Sequence, residues 1–340
     1  MKTITRIFLA LFLITTSALH AQTNDFYDDA ETVKFKLPTI EILGEIANPG
    51  KCNLTTLPIR SVIIKETLLQ DEKDKFIGAY RYDGYSLYDI LNLSILKKKN
   101  EADFPPIIDL YVEIENDKGE KVVLSWGEIY YPVHRHEILI ATQVARIVPS
   151  KTKELWPLPT DSRLIVSSDL LTHRNISNPT KITVKSYSGK YDIVKGMTPM
   201  NSKSFSISAN LIKTENINSL PTDLQKLTYP TVFYGRGKGI HGTTPFNGIL
   251  LKELISKYVK VDVLKLRTGL FVIAGKDGYH ASFSFSEIMN RNDQNEFLVV
   301  GIGKDEDGGA FQIFPAADFF SDRAIKSVES IKLENKEILK

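Results

Sequence analysis

The sequence predicts an α+β protein made of two tandem copies of one unit, each combining mixed sheets with short helices. Three observations predict it. Residues recur in register at fixed offsets along the chain. Within each copy, apolar residues switch between strand-like alternation and helical spacing. The length of 340 residues, with 42% hydrophobic and 25% charged residues, exceeds one typical core and suits two ordinary globular ones.

The N-terminus reads as a secretory leader. Lys2 and Arg6 make a basic start, Ile7 to Ile14 an apolar run too short to span a bilayer, and Ser17 to Ala21 supplies small residues before Gln22. Cleavage near Ala21 would leave a periplasmic or secreted protein. No later apolar run approaches the ~20 residues of a membrane helix, so no membrane insertion is expected. Cys52 is the only cysteine, which excludes an intrachain disulfide. A net charge of +2 gives no broad reason to expect nucleic acid as a partner.

The repeat is read from matched segments. Ser125-Trp126-Gly127-Glu128-Ile129 returns as Ser284-Phe285-Ser286-Glu287-Ile288, each followed by a glutamate-headed apolar run, at Glu137 and Glu296. Upstream, the segment around Gly84 answers to that around Gly248, read as a glycine turn opening an amphipathic helix. Downstream, Asp169, Arg174, Ile176, Ile182 and Val184 match Asp318, Arg323, Ile325, Ile331 and Leu333 at an offset of 149. The Ser and Glu pairs read as capping boxes. Leu270 to Ala274 and His280 to Phe283, around Gly275-Lys276-Asp277-Gly278, read as a hairpin. The organisation predicted is an N-terminal extension over 22–37, a first copy over 38–190, a linker over 191–204 and a second copy over 205–340.

This order of elements, with the Arg-Leu-Ile-Val-Ser-Ser-Asp segment ending at Asp169 and the Phe-Gln-Ile-Phe-Pro-Ala-Ala-Asp segment ending at Asp318, resembles the molybdopterin-binding domain of the sulfite oxidase family. The resemblance implies a sulfite-oxidase-like fold in both copies and a molybdopterin site. In that family a loop cysteine ligates molybdenum, yet the matching loops, about 65–80 and 235–244, contain none. Cys52 lies outside them. The resemblance therefore points to a binding or accessory protein without molybdenum chemistry, with a molybdopterin- or metal-dependent oxidoreductase and a protein-interaction module as alternatives.

Gly235 to Gly242 is the most distinctive local sequence. It contains G-x-G-x-x-G, but Pro245 intervenes before any helix could open onto a pyrophosphate, so a dinucleotide site is rejected. Arg236, Lys238, Gly239, His241 and Gly242 remain as an anion cradle of exposed amides and basic side chains. The ligand expected there is a small anionic molecule or a cofactor fragment; a partner protein is the other expectation. His134 and His136, two apart in a presumed strand, would face one side and could share a metal. His173 and His280 read as ordinary surface or core residues. Lys304 to Gly309 reads as a tight hairpin turn, lacking the spaced oxygen ligands of a calcium loop.

Overall fold

The computed structural model describes residues 31–209, 213–243, 245–302 and 309–335. The leader and the Lys304 to Gly308 part of the predicted turn lie outside these residues. The first copy contains β1 (Thr32–Lys34), β2 (Ile40–Gly44), β3 (Gly50–Cys52), β4 (Ile59–Gln70), β5 (Lys73–Ser86), α1 (Leu87–Leu91), β6 (Leu110–Asn116), β7 (Lys121–Ser125), α2 (Trp126–Tyr130), β8 (Ile138–Arg146), β9 (Arg163–Val166) and β10 (Pro179–Ser186). The second contains β11 (Phe205–Ala209), β12 (Lys213–Ile217), β13 (Lys226–Tyr229), β14 (Phe233–Gly235), β15 (Gly239–Gly242), β16 (Phe246–Leu250), α3 (Leu251–Ser256), α4 (Val263–Thr268), β17 (Gly269–Gly275), β18 (His280–Ser284), α5 (Phe285–Met289), β19 (Phe297–Gly301), β20 (Phe311–Pro315) and β21 (Val328–Asn335).

This corrects the predicted class. The described residues are mostly β, 45% strand against 12% helix, and the small sheets are arranged like the blades of a four-bladed propeller rather than in the α+β sulfite-oxidase-like fold. The helices are five or six residues long, single turns at strand ends. One turn of 3.6-period spacing was therefore all the sequence contained. Gly84 and Gly248 are not turns either. Each lies within a strand, where an added Cβ would collide with the backbone of Ile140 or Val299 on the neighbouring strand.

The duplication itself is visible in the topology. The sheet order β3-β2-β10-β6-β7 of the first copy recurs as β12-β11-β21-β17-β18, and β4-β5-β8-β9 recurs as β13-β16-β19-β20. In both, the first of the matched strands runs parallel to the last: Ile42 faces Ile182, and Ile207 faces Ile331. Within the predicted N-terminal extension, Thr32–Lys34 join a sheet of the first copy, since β1 pairs antiparallel with β8. Both capping boxes form, with Ser125 and Ser284 accepting from the Glu128 and Glu287 amides while each glutamate accepts from its serine's N–H.

The copies do not pack as two separate cores. Phe104, Ile108, Tyr131 and Leu171 from the first copy are buried in the same apolar cluster as Phe271, Phe283 and Ile331 of the second. Across the junction, matched backbone groups exchange reciprocal bonds: Val133 N–H donates to Ala317 O and Phe319 N–H to Tyr131 O, while Leu170 N–H donates to Asn290 O and Asn292 N–H to Ser168 O. Two buried arginines seal the same seam. Arg174 forks onto Asp169 (2.6 and 2.8 Å) and reaches Glu128 and Ser284, each at 3.0 Å. Arg323 forks onto Asp318 (both 2.7 Å) and reaches Glu287 at 3.1 Å and Ser125 at 3.3 Å. Each guanidinium thus bonds the cap serine of the other copy.

Candidate functional site

A cavity of about 790 Å³ opens where the first copy, the linker and the second copy meet. Its walls come from 99–104, from the end of β10 running into 187–193, and from His280 on β18. Behind the wall, Lys98 Nζ and the Asp109 carboxylate sit 2.8 Å apart, both fully buried. The Lys98 ammonium also donates to Phe104 O, and Asn100 Nδ2 donates to Asp109 Oδ2 at 2.8 Å. Burial pushes the Asp109 carboxyl above its ordinary range, against the pull of Lys98 and Asn100.

His280 sits in a column of rings. Phe104 stacks on it at 4.1 Å and Tyr191 lies 4.6 Å from it, with Lys98 Nζ over Phe104 and Lys332 Nζ over Tyr191. The column joins the first copy, the linker and the second copy. His280 Nδ1 lies 2.8 Å from Gly278 O, and a carbonyl can only accept, so Nδ1 carries the proton and Nε2 holds the lone pair. Burial pushes the His280 pKa below its ordinary value against the pull of the Gly278 carbonyl and Asp109, with Lys98 and Lys332 adding to the lowering. His280 Nε2 and Asn100 Oδ1 are buried acceptors without a hydrogen-bond partner among the described residues. Both atoms are enclosed behind the cavity surface, an uncommon state for buried polar groups. The formal charges of the lining cancel, with Lys99, Lys185 and Lys190 against Glu45, Asp103 and Asp192.

The predicted anion cradle lies elsewhere. Residues 233–242 form a two-stranded hairpin, β14 with β15, which turns at Gly239 (φ +75°). Arg236, Lys238 and His241 are exposed, Gly239 and Gly242 half-buried, and none lines the junction cavity. Arg236 Nε meets Asp322 at 3.1 Å, and His241 lies against Phe233.

His134 and His136 occupy a turn before β8, not a strand, and so lack the alternation that would bring them to one face. His136 Nδ1 bonds Ser86 Oγ at 3.0 Å beside Asp89, while His134 lines a separate cleft with Glu137 and Asp293. Among the described residues no group of three His, Cys, Asp or Glu side chains could hold a metal. His173 Nε2 accepts from Leu69 N–H at 2.8 Å, anchoring the long β4–β5 hairpin. Cys52 packs against the first copy's core, where burial raises its thiol pKa and disfavours the thiolate a metal requires.

Sequence reasoning missed Lys98, Asn100, Phe104, Asp109, Tyr187 and Tyr191. No spacing pattern marks them, because they converge only through tertiary packing. The chain matches no family model and no curated protein.

Proposed function

We propose that the chain is an exported small-ligand-binding protein whose ligand occupies the cavity between the two copies. The observation carrying this reading is the cavity itself, about 790 Å³ and so within the roughly 300–1,000 Å³ of small-molecule sites, lined by the rings of Phe104, Tyr187, Tyr191 and His280. The leader-like residues before Gln22 support export. The balanced charges of the lining favour a polar molecule without net charge, such as a sugar or nucleoside, over an anion. Capture there needs no metal and no nucleophile.

A thermal-shift screen with neutral sugars, nucleosides and small amides tests the proposal. A ligand that raises Tm for the native chain but not for Ser188→Trp, which sets an indole in the cavity lining, supports it. Equal shifts in both proteins place binding outside the cavity. No shift from any compound removes the support for an uncharged ligand of these classes.

A further inference from the structure

The β14–β15 hairpin belongs to none of the four larger sheets and presents an unusual surface. Val133, Val232 and Ile240 are each more than 60% exposed, Phe319 52% and Tyr234 39%. They are neighbours: Tyr234 pairs with Ile240 across the hairpin and its ring lies 5.8 Å from that of Phe319, while Val133 and Phe319 share the backbone bridge between the copies. Residues 225–252 contain Lys226, Arg236, Lys238, Lys252 and His241 and not one Asp or Glu. Arg236 meets Asp322 and Lys252 meets Glu296 from outside the segment, while Lys238 stands at the exposed tip.

We infer that this hairpin docks the protein peripherally on an anionic lipid surface. Its apolar and aromatic side chains enter the headgroup layer while the basic ones meet lipid phosphates. Apolar tips flanked by lysine and arginine gain from both contributions. The charge favours an anionic surface, because residues 225–252 carry cations and no acidic residue of their own. The cleft beneath Val232, Tyr234 and Phe319 is about 10 Å³, room for about one water. Docking of this kind requires no membrane-crossing segment, and among the described residues no helix is long and apolar enough to be one.

The test is cosedimentation of the mature chain with phosphatidylcholine vesicles, with and without phosphatidylglycerol. The expected result is binding only where phosphatidylglycerol is present. Arg236→Gln with Lys238→Gln should weaken it by roughly 25-fold, since each basic side chain near such a surface contributes about a factor of five. Ile240→Ser with Phe319→Ser should weaken it as well, with Tm showing that both variants stay folded. Equal binding to both vesicle types, no binding to either, or binding that survives both double variants overturns the proposal. Retention on an acidic peptide without vesicle binding overturns it too, and gives the hairpin to a protein partner.

Discussion

Replacing Arg323 with alanine should be among the most damaging single changes in this chain. The side chains of Arg323, Asp318 and Glu287 are each 1% exposed, and the guanidinium is the only cation ion-paired with either carboxylate among the described residues. These carboxylates hold the guanidinium more firmly charged than usual. Removing it strands two buried carboxylates and deprives Ser125 of a donor from the other copy. Breaking a buried pair from one side costs about 3–5 kcal/mol. At roughly 2 °C per kcal/mol for a chain of this size, Tm should fall by roughly 6–10 °C. Arg174→Ala, in the matched environment, should cost a similar amount. The double variant should depart from additivity, because both arginines join one network. Urea denaturation followed by circular dichroism measures all three. A loss below about 1 kcal/mol in both single variants, typical of exposed pairs, would refute the reasoning.

Other outcomes follow from the same geometry. Burial pushes Glu287 up to about 7 against the pull of Arg323, with Glu128 and Asp318 adding to the rise. Between its ordinary 4.5 and that value the folded state keeps a proton the unfolded chain releases, so stability falls as pH rises through this window. Glu287→Gln should flatten that part of the profile, which denaturation midpoints at several pH values would reveal. Asn290 donates to Leu171 O and accepts from Leu171 N–H across the seam, so Asn290→Ala should cost about 1–3 kcal/mol by urea denaturation. Replacing Arg236, Lys238 and His241 together with alanine should leave stability within about 0.5 kcal/mol per site, since all three are exposed, as a calorimetric scan would show.

The duplication was legible because strands and caps leave local marks. Ser125 with Glu128 and Ser284 with Glu287 announced helix starts, and Asp169 with Arg174 announced its partner pair at Asp318 and Arg323. The second task of those groups was not legible. That Arg174 would reach Ser284 and Arg323 would reach Ser125 depends on how two copies face each other, which local spacing does not encode. Helix content was over-read because the segments after Gly84 and Gly248 repeat their apolar residues for one turn only, and the glycines serve close strand packing. The hairpin at Gly235 to Gly242 stood out because glycine and basic residues are conspicuous in sequence. The cavity did not, because Lys98, Asp109, Tyr187 and His280 lie far apart along the chain and meet only in the fold.

The proposed ligand site is the cavity where the two copies and the linker meet. Native mass spectrometry of the mature chain purified from its own host tests it most directly, with Ser188→Trp prepared in parallel. The account predicts a small uncharged molecule retained by the native chain and absent from the variant. The same molecule retained by both would contradict it.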